Sequence, residues 1–324
     1  MTEIYLIRHG EAESNLFRRI QGWSDCYLTG WGRQQVKYLE KRFENIYVDA
    51  CFSSDLLRAR MTACAVYKAK NLPLQVDPAF REVGFGRWED LPGAFIDKND
   101  RDMMHIYATQ PRRWSVEGSE TFEQFTGRFI DAMTRYAREY DGKTIAIVAH
   151  NGVLRNVLLR LFFEEKGQRA PEHDNTAVSH LFYDNGKYTY DYLADNSHVP
   201  QELSVAAFLR GLQERFPEDE IRLYFRREDL ADGVRYVGIS GDKEIGSITL
   251  DPLVGQEGSI RCLDVGVYYG RTYDIQLFGQ AVSHFRNLGA KYLCIGPGIL
   301  SREALERIGV AGDRMDLTPE NYQP

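Results

Sequence analysis

The sequence predicts an α/β domain followed by a smaller α+β domain. Over about the first 200 residues, short apolar runs alternate with segments of helical periodicity, which is the pattern of α/β proteins. Beyond them, strand-like runs follow one another directly before a helix, a strand and a second helix, an order typical of α+β domains. A length of 324 residues suits two domains of ordinary size. We place the boundary within Asp195–Pro200, so the predicted domains are residues 1–198 and 199–324.

The elements of the first domain follow from apolar periodicity and capping residues. Ile4–Ile7 is a short run of strand-forming residues, and Thr29 can cap a helix that extends to about Phe43. Thr144–Ala149 is small or β-branched throughout, as expected for a strand buried on both faces. The other predicted strands are Ala50–Ser53, Leu74–Val76, Ala177–Tyr183 and Lys187–Leu193, and the other predicted helices are Asp55–Lys68, Thr121–Tyr140 and Val153–Phe163.

The second domain begins with consecutive strands joined by turns that contain glycine and aspartate. These strands are Ile221–Phe225, Val234–Ile239, Glu244–Leu250 and Ser259–Val265. A helix over Tyr273–Leu288, a strand over Tyr292–Ile295 and a short helix over Ser301–Ile308 complete the predicted domain.

Composition and charge exclude several classes of protein. Hydrophobic residues make up 43% and charged residues 27%, as in globular proteins, and no window reaches the roughly 18 continuous apolar residues that a membrane helix needs. The start of the chain lacks the basic and long apolar regions of a signal peptide. Five cysteines without a CxxC pair indicate reduced thiols and a cytoplasmic protein. A net charge of −7 argues against nucleic acid as a partner.

Residues suited to phosphate chemistry follow the ends of predicted strands. His9 follows the first strand and His150 follows Thr144–Ala149, and because parallel strands end at one edge of a sheet, both imidazoles can share a pocket. Three further residues fall at or just after predicted strand ends in chain order, namely Arg8, Arg58 and Glu82. Alone, such a histidine is more often a core or capping residue, and a lone arginine or glutamate is more often a solvated surface charge. The ordered set of five favours a functional site over those interpretations.

This set fits phosphoryl transfer through a histidine. A neutral imidazole nitrogen can attack phosphorus and form a phosphohistidine, and neighbouring arginines favour that neutral form of His9. Arg8 and Arg58 present planar forks of donors to phosphate oxygens, and we expect His150, in its protonated form, to add another donor. Glu82, if burial keeps it protonated, can give a proton to the leaving oxygen and later accept one from water. This chemistry requires no metal or other cofactor.

Several short motifs occur through the first domain in a fixed order. They are Leu6-Ile7-Arg8-His9-Gly10-Glu11, Gln21-Gly22-Trp23-Ser24-Asp25, Ser53-Ser54-Asp55-Leu56, Arg81-Glu82, Gly118-Ser119-Glu120 and Ala149-His150-Asn151-Gly152. In this order they resemble the motifs of the histidine phosphatase superfamily, whose phosphoglycerate mutase-like fold has three layers, α/β/α. The resemblance implies a catalytic set of His9, Glu82, His150, Arg8 and Arg58, with His9 as the nucleophile. It also implies that Asn15, Gln21 and Gly22 line the substrate pocket.

Two features refine that resemblance. Asn151 stands where a glycine commonly follows the second histidine, so we expect its side chain to narrow the pocket or to touch substrate. His150 follows Glu82 by only 68 positions, whereas the mutase branch carries a longer insertion there. The short interval favours a phosphatase acting on a small phosphorylated metabolite, with a phosphomutase as the alternative. The segment Pro92–Trp114, which mixes aromatic and basic residues, is predicted to cover the site.

In the second domain, the stretches Ile245–Leu250, Leu263–Val267 and Ala304–Val310 resemble the GNAT acetyltransferase fold. An active member of that family holds the pyrophosphate of coenzyme A on a glycine-rich turn. Here the aligned stretch Tyr269–Asp274 keeps only its first glycine, and Asp274 would repel phosphate. We therefore expect a GNAT-like scaffold without acetyl transfer, used for a homodimer, for supporting the cap or for sensing a ligand such as an acyl-CoA. A bifunctional enzyme is the alternative.

Overall fold

The computed structural model describes residues 1–217, 221–268 and 270–319. Tyr269, in the stretch aligned with a glycine-rich turn, and residues 218–220 and 320–324 of the predicted second domain lie outside the described residues. Two six-stranded sheets are present, one within residues 2–195 and one within residues 224–316. All five cysteines are free thiols, as predicted. Within the described ranges, no helix combines the length and apolar character that a membrane span requires.

The first sheet brings the ends of its two central strands together. Its strands are β1 (Thr2–Arg8), β2 (Ala50–Ser53), β3 (Leu74–Val76), β4 (Thr144–Ala149), β5 (Val178–Asp184) and β6 (Lys187–Asp195). They lie in the order β3-β2-β4-β1-β5-β6, in which β1 to β4 are parallel and the last two run antiparallel to their neighbours. Arg8 is paired with Ala149 in the register of β1 and β4, so His9 and His150 emerge side by side.

Helices cover both faces of this sheet. They are α2 (Gly30–Phe43), α3 (Leu57–Tyr67), α4 (Gly93–Asn99), α5 (Arg101–Thr109), α6 (Phe122–Glu139) and α7 (Asn151–Leu158), and a short helix, α1 (Glu13–Leu16), follows β1. Successive side chains of a strand point to opposite faces, and β1 divides accordingly. Ile4 and Leu6 belong to the core that contains α6 and α7, whereas Tyr5 and Ile7 belong to the core that contains α2 and α3. The chain therefore has the α/β architecture that its sequence predicts.

The helix boundaries confirm most predictions and correct some. Thr29 and Thr121 cap α2 and α6 through their side chains. The last helix of this region begins at Asn151, two residues earlier than predicted, and continues into a π-helical turn over Leu159–Phe163. The predicted cap, Pro92–Trp114, contains α4 and α5, and neither has the side-chain hydrogen bond at its N-terminus that would mark it in the sequence.

The second sheet has mixed pairing. Its strands are β7 (Tyr224–Leu230), β8 (Gly233–Ser240), β9 (Lys243–Leu250), β10 (Glu257–Asp264), β11 (Tyr292–Cys294) and β12 (Arg314–Asp316), and its helices are α8 (Val205–Arg215), α9 (Tyr273–Asn287) and α10 (Arg302–Ile308). Among the described strands of this second sheet, only the β10–β11 pair is parallel. β7 begins at Tyr224 rather than at Ile221, because the backbone N–H of Leu223 donates to the side chain of Gln276 instead of to a neighbouring strand. The sequence prediction missed α8 and the three-residue β12.

Candidate active site

The predicted catalytic residues meet beyond the ends of β1 and β4. The ring centroids of His9 and His150 are 5.2 Å apart, and Arg58 Nε lies 3.2 Å from His150 Nδ1. Glu82 accepts hydrogen bonds from the start of α7, the helix that directly follows His150. His9, Arg58, Glu82 and His150 expose 3%, 0%, 6% and 0% of their surfaces. The structure therefore assembles this set in a site that is almost withdrawn from water.

One hydrogen bond fixes the tautomer of His9. Its Nδ1 lies 2.7 Å from the carbonyl oxygen of Gly10, and because a carbonyl can only accept, Nδ1 carries the proton. The lone pair is then on Nε2. Burial, and then the charges of Arg58 and Arg8, lower the pKa of His9 well below its ordinary value of 6.5. His9 is thus the neutral imidazole that nucleophilic attack requires.

His150 differs from its prediction in charge. Arg58 Nε donates to His150 Nδ1, so the proton of the neutral ring is on Nε2. Burial and the charge of Arg58 lower the pKa of His150 well below 6.5, whereas the sequence led us to expect an imidazolium. Nε2 is buried and has no hydrogen-bond partner among the described residues. A neutral N–H donor is therefore available to an oxygen in the site.

Arg58 is held in place by the loop that contains Gly22. Its two terminal nitrogens donate to the carbonyl oxygens of Ser24, at 3.0 Å, and Gly22, at 2.7 Å. The carboxylate of Glu89 in turn accepts backbone N–H bonds from this loop, including those of Gly22 and Ser24. Gly22 thus orients Arg58 through its carbonyl group. Sequence reasoning missed these roles of Ser24 and Glu89, because Ser24 acts through its backbone carbonyl and Glu89 accepts from backbone N–H groups.

Glu82 lies against the first turn of α7. Its two carboxylate oxygens accept from the backbone nitrogens of Gly152 (2.9 Å), Val153 (2.6 Å) and Val83 (2.9 Å). These bonds stabilise the ionised form, but burial is the larger influence and raises the pKa of Glu82 above its ordinary value of 4.5. The direction of this shift is the one that a proton donor needs.

Arg8 leads to a group of site residues that sequence reasoning missed. Arg8 Nη1 donates to the carbonyl oxygen of His173 at 2.6 Å, and Asn175 Nδ2 donates to the carbonyl oxygen of His9 at 3.1 Å. Both partners lie just before β5, which is antiparallel to β1, so the start of β5 reaches the edge where β1 ends. The signal in the sequence is the polar run His173–Thr176 directly before an apolar strand.

The remaining predicted residues lie around this centre. Asn15 Oδ1 accepts from the backbone nitrogen of Ala12 at 3.0 Å, which places Asn15 on α1 close to Asn175. Gln21 donates to the sulfur of Cys26. The side chain of Asn151 is turned toward the loop before β5, where its oxygen accepts from the backbone nitrogen of His173 at 2.9 Å. Asn151 therefore braces the loop that holds Arg8.

The cap packs its own aromatic residues beside Glu82. The ring of Tyr107 makes edge contacts with Phe85 and Trp114, with centroids 5.3 and 5.1 Å apart. The Tyr107 hydroxyl lies beside Glu82: a β-carbon built on Gly152 would come within 2.8 Å of that hydroxyl and 2.7 Å of Glu82 Oε1. Tyr107 thus brings a hydroxyl of the cap close to the expected proton donor.

Comparisons with known proteins concern the same part of the chain. The model of the histidine phosphatase superfamily (branch 1) matches residues 4–196. A metal-independent phosphoserine phosphatase of Arabidopsis thaliana is 31% identical over 216 residues, covering 65% of this chain and 87% of that protein. A probable phosphoglycerate mutase, GpmB, of Escherichia fergusonii is 41% identical over 191 residues, covering 58% of this chain and 88% of that protein. The solved structure of Bacillus stearothermophilus YhfR is similar with a TM-score of 0.58 and 29% identity, over 62% of this chain and 100% of that one.

Proposed function

The chain belongs to the histidine phosphatase superfamily, and on this basis we propose that it is a metal-independent phosphatase that hydrolyses a phosphomonoester through a phosphohistidine on His9. The observation that carries the proposal is the tautomer of His9, whose proton is on Nδ1 and whose lone pair is on Nε2. Arg58 and His150, with its free Nε2–H donor, lie in the same site. Some of the relatives are phosphatases, which supports the same class of reaction for this chain.

In the first step, the Nε2 lone pair of His9 forms a bond to phosphorus while the bond from phosphorus to the leaving oxygen breaks. The leaving oxygen takes a proton from the carboxylic acid of Glu82. Arg8 and Arg58 neutralise charge on the phosphoryl oxygens, and the Nε2–H of His150 donates to one of them.

In the second step, water attacks the phosphohistidine. The carboxylate of Glu82 accepts a proton from that water as its oxygen bonds to phosphorus, and the electrons of the phosphorus–nitrogen bond return to Nε2 of His9. The products are inorganic phosphate, neutral His9 and protonated Glu82. Each residue returns to its starting state, so the site can begin another cycle.

A substrate needs space beside this centre for its organic part. A cleft of about 660 Å³ lies between the end of the cap and the loop before β5, and it is lined by Arg113, Arg155 and Arg169 among others. Arg155, which lines the cleft, also contacts the residue beside Glu82: its guanidinium lies over the ring of Tyr107 at 5.1 Å, and it pairs with Glu172 at 3.0 Å. We propose that a small polar phosphorylated metabolite occupies this cleft.

A phosphomutase is the second candidate, favoured by the 41% identity to a probable phosphoglycerate mutase. The two reactions can be distinguished by incubating the protein separately with phosphoserine, 3-phosphoglycerate and an aryl phosphate. A phosphatase releases inorganic phosphate from at least one of them, measured by a colorimetric assay. A mutase instead moves the phosphoryl group to a new position, which phosphorus NMR detects, and that product without free phosphate would overturn the hydrolase assignment.

We expect Gly152→Ala to lower kcat by about tenfold, because the new methyl group would displace Glu82 and Tyr107 from the positions described above. The variant keeps the backbone N–H of residue 152 that donates to Glu82. The change in kcat therefore reports only the crowding of Glu82 and Tyr107 by the new methyl group. Gly211→Ala in α8 is the matched control, since a β-carbon there meets nothing within 4 Å. Equal kcat values for both variants would show that the placement of Glu82 tolerates this displacement.

For the second domain, the proposed role is that of a GNAT-like scaffold without acetyl transfer. The helix at the predicted coenzyme A site, α9, begins with Tyr273, which is 1% exposed, and Asp274 follows in its first turn. An acidic side chain at that position would repel the pyrophosphate of coenzyme A. Burial raises the pKa of Asp274, which favours its neutral form. Even when neutral, the side chain would occupy the position where an active enzyme needs free backbone N–H groups. We expect no heat on calorimetric titration with acetyl-CoA and no release of coenzyme A. Measurable binding with turnover would establish the bifunctional alternative.

A further inference from the structure

The loop that follows His9 is built into the core of the second domain. Leu16 and Phe17, at the end of α1, belong to the same apolar cluster as the helices and strands of the second sheet. The ring of Phe17 packs edge-on against Phe278, with centroids 6.2 Å apart. Gly279 is required at this contact, because a β-carbon there would lie 2.4 Å from the ring of Phe17. Residues Glu11–Arg19 are called the site loop below.

A buried ion pair ties the start of the site loop to α10. Glu11, two residues after the proposed nucleophile, is 0% exposed, and its Oε1 accepts from Arg307 Nη2 at 2.9 Å. The other oxygen of Glu11 accepts from the hydroxyl of Thr29 at 2.7 Å. The guanidinium of Arg307 packs over the rings of Trp31 and Phe208, which meet edge-on, at 3.9 and 4.1 Å from their centroids. Arg307 is therefore fixed by stacking as well as by charge.

Two further contacts hold the rest of the site loop. Glu13, which is also buried, pairs with Arg286 of α9 at 2.9 Å. Arg19, at the other end, donates to Gln280 and Ser283 of the same helix, both at 3.0 Å. Asn15, predicted to line the substrate pocket, lies between these attachment points, so the second domain fixes the backbone that carries it.

We propose that Arg307 is a positioning residue for phosphoryl transfer, and that the second domain completes the phosphatase site by holding the site loop. This inference rests on the proposed function for its catalytic consequence. The family match ends at residue 196, so Arg307 lies outside the part of the chain that is matched to the superfamily. Removing the guanidinium leaves the charge of Glu11 buried without its partner, which favours movement of the loop toward water. That movement begins one residue from Gly10, whose carbonyl fixes the tautomer of His9.

The test compares two charge deletions on the same helix of the full-length protein. Arg307→Gln is expected to raise the Kd for inorganic phosphate and the KM for an aryl phosphate, and to lower kcat/KM by about tenfold, as small displacements of site groups do. Arg302→Gln is the matched control, because Arg302 is 93% exposed and pairs only with Glu306 on α10 among the described residues. It is expected to leave all three quantities unchanged.

Arg307→Lys keeps the test decisive if the glutamine variant does not fold. Lysine retains the charge beside Glu11 but loses the planar group that packs on the two rings, so we expect a Kd for phosphate above that of the wild type and, where the glutamine variant folds, below the Kd of that variant. Folded variants that bind phosphate like the wild type, with a lower melting temperature alone, would reduce Arg307 to a structural role and overturn the inference. Because calorimetric binding of phosphate does not require turnover, a wild-type protein that binds phosphate but hydrolyses nothing would refute the proposed function separately.

Discussion

Replacing His9 with alanine is expected to lower the turnover of an aryl phosphate by at least about a thousandfold, because the variant cannot form the covalent intermediate that divides the reaction into two steps. The fold should survive the change. His9 is buried at the end of β1, and its side chain makes one described hydrogen bond, to the carbonyl oxygen of the next residue. The variant therefore loses the nucleophile and little of the structure that surrounds it.

The measurement combines steady-state assay with trapping of the intermediate. Acid-labile, base-stable phosphate should be found on the wild-type protein after rapid mixing with substrate and quenching, and none on His9→Ala. His105→Ala is the matched control, since His105 is an exposed histidine on the cap and is expected to retain wild-type turnover. If His9→Ala still turned over substrate within tenfold of the wild type, the nucleophile would have to be another residue.

The order of strands in the first sheet explains why part of the site could be predicted. β1 and β4 are adjacent and parallel, so two histidines that each follow a strand in the sequence had to meet at one edge. Residues whose contributions come through the backbone gave no such signal. The carbonyl oxygens of Ser24 and His173 orient Arg58 and Arg8, and a carbonyl group is the same whatever its side chain.

Contacts that join distant parts of the chain also could not be predicted from the sequence. Arg307 meets Glu11 across 296 residues, and no periodicity or motif relates those two positions. The predicted protonation state of His150 was wrong for a related reason. Its charge depends on complete burial and on Arg58 Nε lying at its Nδ1, and neither can be known before the three-dimensional arrangement is.

The proposed mechanism needs neutral His9 and protonated Glu82, a combination that is rare in water and that burial makes more common. Attack requires neutral His9 and protonated Glu82 at the same moment, but the ordinary pKa values are 6.5 for histidine and 4.5 for glutamate, so at any pH where one is correct the other is mostly wrong. Burial disfavours charge on both groups, which lowers the pKa of His9 and raises that of Glu82. Both shifts enlarge the fraction of molecules that hold the reactive pair.

Glu82→Gln is expected to affect substrates according to their leaving groups. With an alkyl phosphate such as phosphoserine, the departing alkoxide needs a proton, and loss of the general acid should reduce kcat by about 100- to 10,000-fold. With p-nitrophenyl phosphate the leaving group is already stable as an anion, so the loss in the first step should be much smaller. Because Glu82 also serves the second step, which both substrates share, the comparison is made on the rate of phosphohistidine formation after rapid mixing. A general disturbance of the site would reduce that rate alike for both substrates.

The pH dependence provides the second half of this test. Because only protonated Glu82 can act as the acid, the rate of the first step with an alkyl phosphate should fall as pH rises through the raised pKa of Glu82, and the fall should begin at a higher pH than for an ordinary glutamate. The lowered pKa of His9 should keep the nucleophile neutral well below pH 6.5, so the acidic limb is displaced in the opposite direction. In Glu82→Gln the basic limb should disappear while the acidic limb remains. An unchanged basic limb would assign the proton to a different group, and Tyr107, whose hydroxyl lies beside Glu82, would be the next residue to replace.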